Sequence, residues 1–393
     1  MNIILFDSAV RTNLLPLSYT RPIADLRIGI LKLSEKWEKR FPNATISYKT
    51  VDYLSNKFPT NLTAENLWID GSIVANDILG TEIQALKANE VLTFNGESIA
   101  YYSAGAVNGF SDFQAIKTKA NPIKLNHSWD IFSKNGRAIE EDFALVTKGR
   151  TSQPISDTNQ VIGDRSRLFV EEGVEMECAS LNVKTGVIYI GKDAVILEGC
   201  FIRGALALNE KSVLKMGSKI YGPTTLGKHA KVGGEVSNAV IYDYSNKGHE
   251  GYLGNAVLGE WCNLGADTNN SNLKNNYQSI KLWDYNTERF AKTGLQFCGL
   301  IMGDHSKSGI NTMFNTGTVV GVAANIFGAN YPRNFLPSFT WGGTGNNKTF
   351  RMKQVIEMAE AMMSRKNIPL TENDLAILEY IFEASAKYRN WEK

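Results

Sequence analysis

Eight apolar residues recur at intervals of six: Ile190, Ile196, Ile202, Leu208, Leu214, Ile220, Leu226 and Val232. A period of six suits neither an amphipathic helix nor an alternating strand. It suits a parallel β-helix of the hexapeptide type, in which every sixth side chain enters a narrow stacked core. Leu258 and Leu264 resume the spacing out of phase with Val232, so a loop is expected between the two runs. That break contains Ser245-Asn246-Lys247-Gly248-His249-Glu250-Gly251-Tyr252-Leu253-Gly254. A later run, Met302, Ser308, Phe314, Val320 and Ile326, keeps the same step, and the polar stretch 269–293 before it reads as a longer excursion.

The flanking segments follow other patterns. Residues 1–105 alternate short apolar runs, such as Ile3-Ile4-Leu5-Phe6, with helical spacing over 28–40 and 77–88. This predicts an α/β, Rossmann-like domain with a mostly parallel sheet. Residues 106–160 read as a linker with one helix opening at Ser128 and breaking near Asn135-Gly136. The β-helix is expected over 161–340, and two amphipathic helices over 341–393, the second capped by Thr371 with Asp374 completing a capping box.

Composition narrows the function. Forty-two basic residues against 40 acidic ones, with no basic block, give no support for nucleic-acid binding. Four scattered cysteines without a CxxC pair suggest reduced thiols in a cytoplasmic protein. Met1–Asp7 reads as a buried strand, not a leader, and no run approaches the ~18–20 apolar residues of a membrane span.

His249 is the first candidate for chemistry. Glycines flank it, Lys247 precedes it by two residues and Tyr252 follows by three. An imidazole takes a proton near neutral pH, as a general base must, and Lys247 could hold an anionic substrate group. His229 and His305 read as β-helix turn residues, and His127 as a linker residue.

The segments Val232-Gly233-Gly234-Glu235-Val236-Ser237-Asn238, Tyr244 to Gly254, Leu258 to Ala266 and Thr268 to Tyr277 carry a resemblance. Over about 160–330 the chain resembles the acetyltransferase half of the bifunctional N-acetylglucosamine-1-phosphate uridyltransferase/glucosamine-1-phosphate N-acetyltransferase family. The whole chain resembles a divergent bacterial branch of it. The resemblance implies a left-handed β-helix, a homotrimer with its site between subunits, and acetyl-CoA as co-substrate. It implies that His249 is the catalytic base, that Tyr252 and Asn263 line the sugar pocket, and that Asn272 comes from a neighbouring subunit. Ala266 and Lys274 are expected with Asn272 at the acetyl-CoA or intersubunit surface. Asp267 replaces the usual glycine of this step, and Lys219 and Lys247 are taken as stand-ins for the family's phosphate-binding cations.

Leu14 to Arg27 resembles the start of sugar nucleotidyltransferases, which bind a nucleoside triphosphate and a sugar 1-phosphate with Mg2+. Here a Gly-rich phosphate loop is missing, Ala24 replaces an expected lysine, and Arg11, Arg21 and Arg27 are the candidate phosphate ligands. Asp70, in Ile69-Asp70-Gly71-Ser72, stands where that family holds a metal-binding acid. Two other readings remain open: a hexose-1-phosphate nucleotidyltransferase on a structural β-helix, and a non-catalytic ligand-binding trimer.

Overall fold

A computed structural model describes residues 1–104 and 112–392. The amino-terminal sheet is built from β1 (Asn2–Phe6), β2 (Thr45–Lys49), β3 (Glu65–Asp70), β4 (Glu90–Phe94), β5 (Glu97–Ala104) and β6 (Gln114–Lys117). Their order is β2-β1-β3-β5-β4-β6, so the sheet continues past residue 105. β1 pairs in parallel with β2 and β3, whereas β5 runs antiparallel to both β3 and β4. Ile3, Leu5 and Ile69 are buried with Trp37 of helix α1 (Leu33–Arg40) on one face of the sheet, while Ile4, Trp68, Val91 and Tyr101 cluster on the other. That helix is shorter than the spacing predicts. Ile28 and Ile30 are buried in the extended segment before it, because Gly29 takes φ +75°.

The linker holds more structure than its composition suggests. A helix spans Asn135–Thr147, beginning at the asparagine that reads as a break. Asn135 is buried because its side chain accepts from Gly29 N (2.8 Å) and donates to Pro223 O (3.2 Å) and Thr225 Oγ1 (3.1 Å). Tertiary bonds here outweigh a weak local preference.

From Gln160 onward the chain winds into the expected parallel β-helix, with one thirteen-stranded and one ten-stranded sheet. All eight ladder residues are buried in a single core. The break is not an inserted loop but a shortening. Leu214 pairs with Val232, eighteen residues on, whereas Val232 pairs with Lys247, only fifteen on. The strand Glu235–Ile241 pairs with both Lys219–Tyr221 and Thr224–Leu226, so one unbroken strand replaces two strands and the corner between them. The next coil takes seventeen residues (Asn246 to Asn263), and the following one forty-four (Asn263 to Lys307). That last coil carries the polar excursion, which folds as the hairpin Lys281–Asp284 with Arg289–Lys292.

One corner of the β-helix repeats a left-handed residue in successive coils: His229, Tyr244, Trp261 and His305, with φ between 57° and 62°. Each donates its amide to the coil before, as in Tyr244 N to Lys228 O (2.8 Å) and His305 N to Glu260 O (2.9 Å). Bulky residues rarely adopt this conformation. Here their rings stack, Tyr244 on Trp261 at 4.2 Å and 4°, which offsets the strain.

The two halves share a core. The outward side chains Val240, Val257, Ile301 and Val319 are buried in one cluster with Leu14, Leu17, Ile23 and Leu26. Above this cluster Arg21, 3% exposed, reaches Glu260 Oε1 (2.5 Å) and Asp304, with Asp25 at 3.5 Å. Against the penalty of burial, Asp304 and Glu260 hold the guanidinium well above its ordinary value. Helices Met352–Ser364 and Glu372–Ser385 close the same side, burying Val355, Ala359 and Ile377. The Thr371/Asp374 capping box forms as expected, with Asp374 N donating to Thr371 Oγ1 (3.2 Å) and Thr371 N to Asp374 Oδ2 (3.0 Å). No described helix is long and apolar enough to cross a membrane.

Removing one partner of a buried ion cluster leaves the others uncompensated. Arg21→Met is therefore expected to destabilise the protein by roughly 3–5 kcal/mol, read from the urea midpoint. An unchanged midpoint would show that the cluster does not hold the halves together.

Candidate functional site

His249 lies on an exposed corner between Asn246–Lys247 and Tyr252–Leu258. The corner is close-packed along the axis. A Cβ at Gly234 would come within 2.9 Å of Glu250 Cα and His249 O, and one at Gly251 within 2.3 Å of Thr268 O. Glycine at both positions lets successive coils approach while the imidazole stays outside. Asp267 takes φ +55° and donates its amide to Glu250 O (3.1 Å), continuing the corner.

The strand that follows the His249 corner carries a polar platform. Asn272 Nδ2 donates to Tyr252 Oη (2.9 Å) and to Asn255 Oδ1 (2.7 Å), while Tyr252 N donates to Asn269 Oδ1 (2.7 Å). Within one chain, then, Asn272 already touches Tyr252. No local motif marks Asn255 and Asn269 as site residues. Their signal is a spacing of seventeen, Tyr252 to Asn269 and Asn255 to Asn272, which is one coil at this level.

Other expected residues fall elsewhere. Lys219 is exposed and pairs with Glu250 at 3.6 Å, which keeps it near the His249 corner. Ala266 is half-buried, its carbonyl accepting from Asn311 N (2.8 Å). Lys274 donates to Ser279 O at 3.5 Å within the excursion. Asn263 sits on the ten-stranded sheet, away from the sheet that carries Tyr252.

Lys247 is corrected by the structure. It occupies an inward ladder position opposite Val232, is 2% exposed, and donates to Gly233 O (3.1 Å) and His249 O (2.6 Å). It supports the His249 corner from inside and presents no ammonium to a substrate. Burial pushes it down to about 8.

The expected phosphate ligands are also redirected. Arg21 is held in the ion cluster described above. Arg27 is 1% exposed and binds Ile30 O (2.6 Å) and Asp243 (3.1 Å). Arg11 pairs with Asp7 (2.9 Å) and donates to Tyr53 Oη (3.0 Å). All three guanidiniums meet protein acceptors, Arg21 and Arg27 on the β-helix and Arg11 within its own domain. Asp70 is 1% exposed, accepts from Ser8 Oγ (3.0 Å) and from Ser72 N and Oγ (2.9 and 2.8 Å), and faces the Lys124 ammonium at 3.5 Å. Donors and a cation around one carboxylate do not fit a magnesium ion, and no metal-binding group of three such side chains occurs among the described residues. His127 stacks on Trp129 (4.1 Å), and burial pushes His305 down to about 3, leaving it neutral.

Unfolding returns Lys247 to its ordinary value of 10.5, so between about pH 8 and 10.5 the unfolded chain binds more protons. This group's contribution to stability therefore rises with pH across that window. Lys247→Met is expected to lose that rise, so its advantage over the wild type shrinks by up to about 3 kcal/mol from pH 8 to 10.5. Urea unfolding at each pH measures it, and parallel curves for the two proteins would overturn the buried placement.

Residues 3–151 match the family model for sugar nucleotidyl transferases. A bifunctional sugar-1-phosphate nucleotidylyltransferase/acetyltransferase of Sulfurisphaera tokodaii is 31% identical over 149 residues, 37% of this chain and 37% of that protein. The bifunctional protein GlmU of Methanococcus maripaludis is 24% identical over 206 residues, covering 52% of this chain and 43% of the relative. That of Streptococcus pyogenes is 27% identical over 218 residues, covering 49% and 51%. The chain thus spans between about a third and a half of the length of these relatives. The resemblance read from the sequence stands: an amino-terminal region matching sugar nucleotidyl transferases is joined to a β-helix, in a chain similar over part of its length to bifunctional nucleotidylyltransferase/acetyltransferases.

Proposed function

We propose that this protein is a sugar-phosphate transferase that moves an acetyl group from acetyl-CoA to the amine of an amino-sugar 1-phosphate, with glucosamine 1-phosphate the first acceptor to test. The observation that carries this reading is the His249 corner, an exposed imidazole three residues before Tyr252, whose hydroxyl is held by Asn272. The amine nitrogen attacks the thioester carbonyl, the new C–N bond forms, and the C–S bond breaks to release the CoA thiolate. His249 takes the proton that the amine gives up, and the thiolate is protonated as it leaves. Tyr252 and Asn272 present a phenol and an amide that suit sugar hydroxyls, and Lys219 places a positive charge near the same corner. A cytoplasmic homotrimer is the assembly this reading expects, a second subunit closing the exposed corner.

A second activity, nucleotidyl transfer from UTP or dTTP to the sugar 1-phosphate, is favoured by the family match over residues 3–151. Arg11, Arg21 and Arg27 are committed to protein acceptors in this chain, so its phosphate-binding cations are to be sought elsewhere.

His249→Ala is expected to lower acetyl transfer by roughly 10²–10⁴-fold while leaving the melting temperature unchanged, since the side chain is exposed. Thiol release from acetyl-CoA with glucosamine 1-phosphate measures it. Undiminished turnover in the variant would remove His249 from the chemistry.

A further inference from the structure

Next to the Tyr244–Trp261 stack, a groove of about 570 Å³ runs between the outer face of the ten-stranded sheet and the helix Met352–Ser364. Its charge is one-sided. Lys231, Lys307, Arg365 and Lys366 line it, and no aspartate or glutamate does. None of the four makes a salt bridge among the described residues, in a chain whose formal net charge is only +2. The contrast with the neighbouring cavity of about 580 Å³ is informative. There Arg21, Lys32 and Lys57 are each answered by a carboxylate, as in Lys32–Asp25 (3.0 Å) and Lys57–Asp374 (2.6 Å).

Two of the four cations, Lys307 and Lys366, are half-buried, while Lys231 and Arg365 are exposed at the rim. Lys307 Nζ is fixed by Trp261 O (2.7 Å) and His305 O (3.2 Å). Burial pushes this ammonium down to about 8, and burial together with Lys231 and Arg365 lowers Lys366. Clustering like charges in a groove raises the folded state's energy unless an anion answers them. Between the cations lie Asn246 and Asn263, paired in adjacent coils, whose side-chain amides make none of the hydrogen bonds found among the described residues. Met358 and Met362 face the groove from the helix, opposite the Tyr244 and Trp261 rings.

We infer that this groove is a binding site for the phosphate chain of a nucleoside-containing ligand. The ammonium and guanidinium groups take the phosphates. The two asparagine amides offer donors and acceptors to a polar ring system or sugar. The methionines and ring edges bury its apolar parts. The site does not depend on the acetyl-transfer reading, and it lies on a different part of the coil from the His249 corner.

The test is lysine acylation of the full-length protein by an N-hydroxysuccinimide ester at low ionic strength, read residue by residue by mass spectrometry, with and without pyrophosphate, UTP or coenzyme A. Calorimetric titration with the same probes runs in parallel. Lys231, Lys307 and Lys366 are expected to be protected by at least one probe, while the exposed Lys192 is not. Protection by UTP alone makes the ligand a nucleotide, protection by coenzyme A alone makes it the acyl carrier, and protection by all three shows that the phosphate chain suffices. Lys231→Gln combined with Lys366→Gln is expected to weaken binding of that probe by roughly tenfold or more, with the melting temperature held. No protection by any probe, or unchanged affinity in the double variant, would overturn the proposal. Because His249→Ala leaves this groove intact, failure of acetyl transfer and failure of this site are read separately.

Discussion

A guanidinium taken out of water needs fixed counter-charges, and Arg21 finds its two nearest on the β-helix. Glu260 and Asp304 belong to successive coils and sit forty-four residues apart because the polar excursion intervenes. Arg27 repeats the arrangement one coil earlier at Asp243. Around these ions the outer face of the solenoid is covered by Leu14, Leu17 and Ile23, which would otherwise be exposed. The acids therefore fix where the amino-terminal segment lies, and the apolar cluster supplies the area that makes the placement favourable.

The same arrangement explains the difference between the two halves as carriers of chemistry. In the amino-terminal half, the cations that could have met phosphates meet carboxylates of their own chain, and Asp70 meets serines and a lysine. On the β-helix, glycine corners and a shortened coil leave an imidazole in solvent, on the corner that leads into a bonded tyrosine. Polar groups in the first region serve cohesion. In the second they remain available.

Much of the scaffold was legible because a side-chain period is a local property. Ile190 to Val232 report the core at every sixth position, and Thr371 with Asp374 reports a helix start within four residues. The position of the break is legible in the sequence, but its sense is not. A lost corner and an added loop shift the period alike, and only pairing registers such as Val232 with Lys247 distinguish them. Lys247 was misread for the same reason, since its inward position follows from the shortened coil. Asn135 and Arg21 were misread because their partners, Gly29 and Asp304, lie over a hundred residues away, and no local pattern encodes such a distance.

The hydrogen bond from Thr20 to Asp304 spans 284 residues of chain. On a ribosome, the acids that receive Arg21 and Arg27 follow them by more than two hundred residues. During that interval the apolar segment around Leu14 to Leu26 has no solenoid to cover. Domains usually complete folding in the order they are translated. Here the earlier of the two regions is the one that must wait, and a chaperone or a sister chain has time to reach it before its own coils do.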